Sequence, residues 1–209
     1  MEFNKLFGNA TKFLNDYSTD YKGSRPTASF TGQYLFPSKE KTHEAKYLIL
    51  HEPKTKDLDW ISEIFPNLEF LHIIKSRSNY VSKLENIYGI KNLKKLHRLL
   101  ISDVYIKNIE VDMNKIEYFE LTSQEDRMIN MTLINPSEKI DFYRIVGVSK
   151  NYDDKQIDNK SDNITIENLS FLKNVIQGNI YLNNVMDENF NFIRYTTDLE
   201  EFKNIINKV

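Results

Sequence analysis

Residues 65–76, FPNLEFLHIIKS, decide the fold. Leu68, Leu71 and Ile73 stand at apolar-x-x-apolar-x-apolar spacing, with Glu69, Phe70 and His72 between them. Side chains alternate between faces along a strand, so Leu71 and Ile73 share one face while Phe70 and His72 share the other. The same template recurs in AKYLIL (Ala45, Leu48, Leu50), LHRLLI (Leu96, Leu99, Ile101), IEYFEL (Ile116, Phe119, Leu121) and IDFYRI (Ile140, Tyr143, Ile145). The last apolar positions are 50, 73, 101, 121 and 145, giving intervals of 23, 28, 20 and 24 residues. Such spacing marks a stacked repeat. A register starting at Leu93 is more even but sets Arg98 in an apolar slot, and an unpaired guanidinium is costly to bury. The start at Leu96 is therefore preferred.

The segments between these strands suit the outer wall of a solenoid. DLDWISEIF, residues 57–65, places Leu58, Ile61, Ile64 and Phe65 on one helical face, and Pro66 and Asn67 end it. YVSKLENIY, residues 80–88, repeats the pattern with Val81, Leu84, Ile87 and Tyr88, and Gly89 is the candidate stop. The connection at 103–115 is too short for a long helix. Residues 148–163 are polar and read as a loop; short strands follow around Ile164–Ile166 and Ile180–Leu182. Residues 2–17 carry apolar side chains at helical spacing, as do 198–208 behind a Thr197 or Asp198 cap. Both helices are expected to close the ends of the stack.

These residues resemble leucine-rich repeat proteins of the irregular bacterial kind. LxxLxL recurs, FPNLEFLHI is its clearest copy, and Gly178, Asn179, Ile180 and Leu182 look like a later one. The chain departs from the family where a regular repeat holds asparagine three positions past the last leucine; here stand Pro53, Ser76, Val104, Gln124 and Val148. The expected fold is α/β: a short, irregular leucine-rich-repeat solenoid with a parallel sheet, capped by N- and C-terminal helices. It forms one domain over 1–209, with a capping helix and extended segment at 1–44, repeats at 45–185 and a terminal strand and helix at 186–209. An ordinary α+β sheet is the alternative that fits the same residues.

Composition narrows the activity. A net charge of −2 and a pI near 6.1 supply no basic footprint for nucleic acid. There is no cysteine, no secretory leader and no apolar run long enough for a membrane span, so a cytoplasmic protein is expected. The four histidines form no HExxH run, and six glycines build no phosphate loop. No catalytic residue, metal ligand or cofactor is assigned, and a non-enzymatic role is expected.

The repeat aligns the intervening residues in columns about 4.8 Å apart from strand to strand. Tyr47, Phe70, Arg98, Tyr118 and Phe142 form the first; Ile49, His72, Leu100, Glu120 and Arg144 the second; His51, Ile74, Ser102, Thr122 and Val146 the third. Aromatic and Arg residues are typical interface anchors. The expectation is a module that binds another protein on its parallel-sheet face, with Tyr47, Phe70, His72, Arg98, Tyr118, Glu120, Phe142 and Arg144 in contact. An immunity protein neutralising a bacterial toxin is one form of it. Coverage of the aromatic column by residues 21–36 stays open. So do a metal-dependent hydrolase on an α+β scaffold built on His51, His72 and Glu120, and a self-associating scaffold.

Overall fold

The computed structural model describes residues 12–14, 43, 45–51, 53, 55–75, 84–123, 129–135, 137–147, 164–167, 177–187, 192–196, 200 and 203–204. The template strands form where the sequence places them: β2 (Tyr47–His51), β3 (Phe70–Ile74), β4 (Arg98–Ser102), β6 (Tyr118–Thr122) and β8 (Lys139–Val146). With β10 (Gln177–Asp187) they make a six-stranded parallel run in that order. Phe70 pairs with Arg98 and Ile73 with Ile101, the register that starts at Leu96.

Each LxxLxL residue faces inward and is buried. Leu68, Leu71, Ile73, Leu99, Ile101, Phe119 and Leu121 are fully enclosed. Burying one such side chain is worth roughly 1.5–3 kcal/mol relative to leaving it exposed, so the stacked rows dominate the stability of the coils.

The opposite wall changes character along the stack. In the first coil it is the short helix α1 (Ile61–Ile64), with Leu58, Ile61 and Phe65 buried. Asn67, just past it, donates from Nδ2 to the His43 carbonyl at 2.7 Å. In the second it is a 3-10 turn, Tyr88–Asn92; residues 84–87 are not helical, so the helix expected over 80–88 is not formed in its described part. Gly89 sits inside that turn rather than after a helix. From β4 onward the wall is a second parallel sheet of β5 (Asn108–Asp112), β7 (Ile129–Ile134) and β9 (Ile164–Glu167). The coils β4–β5, β6–β7 and β8–β9 thus make about three turns of parallel β-solenoid. Strand β10 pairs with β8 along its first part and with β9 at Met186 and Asp187, linking the two sheets. Strand β11 (Phe192–Thr196) runs antiparallel beside it.

The fold is therefore mostly strand. Residues Lys12–Leu14, expected within a capping helix, form β1 antiparallel to β2 instead. Their apolar spacing serves a strand as well, because Phe13 need only align with Leu48. At the other end Glu200, Lys203 and Asn204 have helical backbone, but no capping helix is seen among the described residues. The loop expected at 148–163 lies outside them.

Backbone bonds between coils close both ends of the strands. The carbonyls of Lys46, Glu69 and His97 each accept two amides from the next coil, at 2.8–3.3 Å. At the far ends the amides of Lys75, Asp103 and Ser123 donate to Ser102, Thr122 and Val146. Asp103 takes φ 58° to make this corner, a conformation that Asp tolerates better than most residues.

A Cβ on Gly89 would overlap the Leu58 carbonyl and the Asp59 amide. Backbone cannot swing aside as a side chain can. Gly89→Ala is expected to cost about 2–3 kcal/mol in denaturant unfolding, at the upper end of overpacking losses.

Tyr143 fills the core between β6 and β10 and donates its hydroxyl to the Ile116 carbonyl at 2.7 Å. Burial, with a smaller contribution from the Asp112 charge, raises its phenol above the ordinary value of 10.0. Above pH 10 the unfolded chain releases that proton while the folded one keeps it, so stability falls as pH rises. Tyr143→Phe should lose about 1–2 kcal/mol at pH 7, because the carbonyl is left unpaired. It should also flatten the alkaline decline by up to about 1.4 kcal/mol per pH unit, measurable by urea titrations at pH 7 to 11.

Candidate functional site

The three columns predicted for the outer face exist in register. Tyr47, Phe70, Arg98, Tyr118 and Phe142 pair rung by rung and continue to Asn179. The second column continues from Arg144 to Tyr181, and the third from Val146 to Asn183. Adjacent rungs bring side chains close enough to interact.

The aromatic end of the face is closed. Tyr47 is 2% exposed, Phe70 1% and Tyr118 3%, and with Ile49 and Leu100 they form a second apolar cluster behind the sheet. The Tyr47 and Phe70 rings stack with centroids 4.4 Å apart and planes 21° apart. The expectation of an exposed aromatic column therefore does not hold for these three. Alternation put them on the outer face correctly, but their apolar area is withdrawn from water there too. The segment 21–36, considered as their cover, lies outside the described residues, as do the side chains of Phe142 and His51.

The polar end is different. Glu120 is buried to 4% and receives a hydrogen bond from the Arg144 guanidinium at 2.6 Å. The Arg144 side chain keeps 32% of its exposure and lies 5.3 Å from the Tyr181 ring centre. The two charges face each other because β6 and β8 pair Glu120 with Arg144 directly. An enclosed carboxylate needs such a partner, and the guanidinium is fixed between an anion and an aromatic ring. Arg98, half-buried, lies 5.9 Å from the Tyr118 ring centre. His72 shares a 2.9 Å hydrogen bond between Nε2 and the Ser102 hydroxyl.

His72 and Glu120 lie two rungs apart in one column with Leu100 between them, and they hydrogen-bond to Ser102 and Arg144 respectively. The side chain of His51, the third residue of the metal-dependent alternative, lies outside the described residues. No group of three or more His, Asp or Glu residues suited to a metal occurs among the described residues. Tyr181 is the contact that sequence reasoning missed. Its signal was present in NIYL, but aligning it with Arg144 requires a 37-residue coil, longer than any other.

On the other wall, the 3-10 turn and β5 leave a cleft of about 80 Å³ between them, with Ile87, Ile90, Ile116 and Ile134 in its lining. Lys115 reaches across, donating from Nζ to the carbonyls of Lys91 at 2.8 Å and Ile90 at 3.2 Å. Burial lowers its pKa, and the Asp112 charge partly offsets that.

No family model, curated protein or solved structure matches this chain.

If Tyr47, Phe70 and Tyr118 are packing residues, truncation must cost stability. Phe70→Ala and Tyr118→Ala are each expected to lose about 3–5 kcal/mol in denaturant unfolding. Melting temperatures unchanged from the parent protein would return these rings to the exposed surface.

Proposed function

We propose that this chain is a non-enzymatic binding module whose ligand is another protein, engaged through the polar end of its parallel-sheet face. One observation carries the reading. Arg144 stands a third exposed on a paired strand, held by Glu120 at 2.6 Å and by Tyr181. A guanidinium fixed in this way loses little rotamer freedom on binding, and Arg and Tyr are enriched among interface hot spots. Thr122 on the neighbouring strand β6 and His72 on β3, two strands further along the sheet, are half-buried and extend the surface. Tyr47, Phe70 and Tyr118 enter as its packed floor rather than as anchors.

Kinship with leucine-rich repeats belongs to this proposal. It is supported by the LxxLxL core, the parallel sheet and the helical or 3-10 walls of the first coils. A cytoplasmic immunity protein that covers a toxin is one form of the module, and its contacts would be of this kind.

A photo-crosslinking residue at position 144, in cells that produce the protein natively, should yield one discrete adduct with a second protein. The same residue at Glu63, exposed on α1, should yield none. With the captured partner, Arg144→Glu should weaken binding at least about thirtyfold, a hot-spot loss of about 2 kcal/mol. Equal adducts from both positions would overturn the assignment. An adduct containing only this chain would replace it with self-association.

A further inference from the structure

Among the described residues the second sheet ends at β5, which pairs with β7 and with no other strand. Lys107 accepts from Asn130 and Met113 donates to Ile134, so odd-numbered residues face β7. Asn108, Glu110 and Asp112 therefore turn their main-chain groups the other way. The Asp112 carbonyl is used by the amides of Lys115 and Ile116. The amides of Asn108, Glu110 and Asp112, and the carbonyls of Asn108 and Glu110, meet no partner among the described residues. Asn108 and Glu110 are exposed, while Ile109 and Val111 are buried.

We propose that this free edge takes up an extended segment of a partner protein as an added strand, with apolar residues alternating with Lys or Arg. Main-chain pairing supplies the attraction and side-chain pockets the selectivity, as in other strand-addition sites. Three observations fix the chemistry of the occupant. The cleft beside β5 holds about 80 Å³, lined by four isoleucines and Tyr88 together with the charged Lys91, Glu110, Asp112 and Lys115, room for one branched apolar residue. Tyr88 at its edge is 45% exposed, the exposed large apolar side chain of the described residues. The outward neighbours of an added strand would be Asn108, Glu110 and Asp112, and opposite charges directly across a pair stabilise it. Lys91 and Lys107 flank the slot, while the Lys115 ammonium is already committed to two carbonyls. A second copy of β5 fits poorly, since a two-fold pair centred on the strand sets Glu110 against Glu110.

The test uses the full chain and two end-blocked peptides, TVKVKVT and TVEVEVT, at millimolar concentration, with amide hydrogen exchange read by NMR. In the free protein the Ile109 and Val111 amides should be protected, and those of Asn108 and Glu110 should exchange rapidly. The lysine peptide should slow Asn108 and Glu110 at least tenfold, and the glutamate peptide should not. Glu110→Lys should invert that preference. Glu110→Pro removes an edge amide without touching the β7 ladder and should abolish the effect; if it unfolds the chain, Glu110→Lys decides. Arg144→Glu should change none of this, which separates the edge from the sheet face. Protection of Glu110 in the free protein, no slowing by the lysine peptide, or equal slowing by both peptides would each overturn the proposal.

Discussion

Everything in this fold depends on the parallel ladder that starts at one shared carbonyl per coil. Lys46, Glu69 and His97 each accept two amides from the following coil, and this fixes where the next strand begins. Once that start is fixed, the period of two along a strand decides the rest. A slip of one residue would drive Phe70, His72 and Glu120 into the aliphatic rows and turn Leu71, Ile73 and Leu121 outward. The penalty for such a slip, several buried leucines and a carboxylate at once, lets coils of unequal length stack without drifting. Main-chain bonds from Lys75, Asp103 and Ser123 close the corner, and Asp103 accepts a left-handed conformation there.

The strands of the first sheet were legible because their evidence is local and repeated. Leu96 was preferred over Leu93 to keep Arg98 out of the core, and the observed pairing of Phe70 with Arg98 has the same cause. The second sheet was not legible as a sheet. Ile109, Val111 and Met113 alternate, as do Ile129, Met131 and Leu133, but each run is short and its partner lies a whole coil away. Coil length held the remaining clue. The 20 residues separating Ile101 from Leu121 leave no room for a helical wall, and a strand covers the same distance with fewer residues. The N-terminal misreading has the opposite origin. Phe13 and Leu14 fit a period of 3.6, but pairing with β2 outweighs propensity in so short an element.

At the candidate site, position was legible in the residues but exposure was not. Alternation put Tyr47, Phe70 and Tyr118 in one column with Arg98, and nothing in that pattern says whether another layer lies over it. The Glu120–Arg144 pair was legible as neighbouring rungs of one column. Its asymmetry was not: the carboxylate is enclosed and the guanidinium partly open, because Arg144 is long enough to bury its stem and keep its head near water. Tyr181 then completes the arrangement from the next strand.

The change of wall between the second and third coils has a physical consequence. A 3-10 turn and a strand differ in rise and in where they point their main-chain groups, so they cannot continue one ladder. Main-chain groups of two kinds meet at that junction. The carbonyls ending the 3-10 turn are met by Lys115, whose ammonium gives up hydration to reach Ile90 and Lys91. The β5 edge receives no such cover from the described residues and carries Glu110 on its outward face instead. Charge on an edge discourages indiscriminate pairing, yet it also discriminates between strands that approach, disfavouring an acidic residue directly across from Glu110. The same residue that keeps the edge soluble would therefore select its partner.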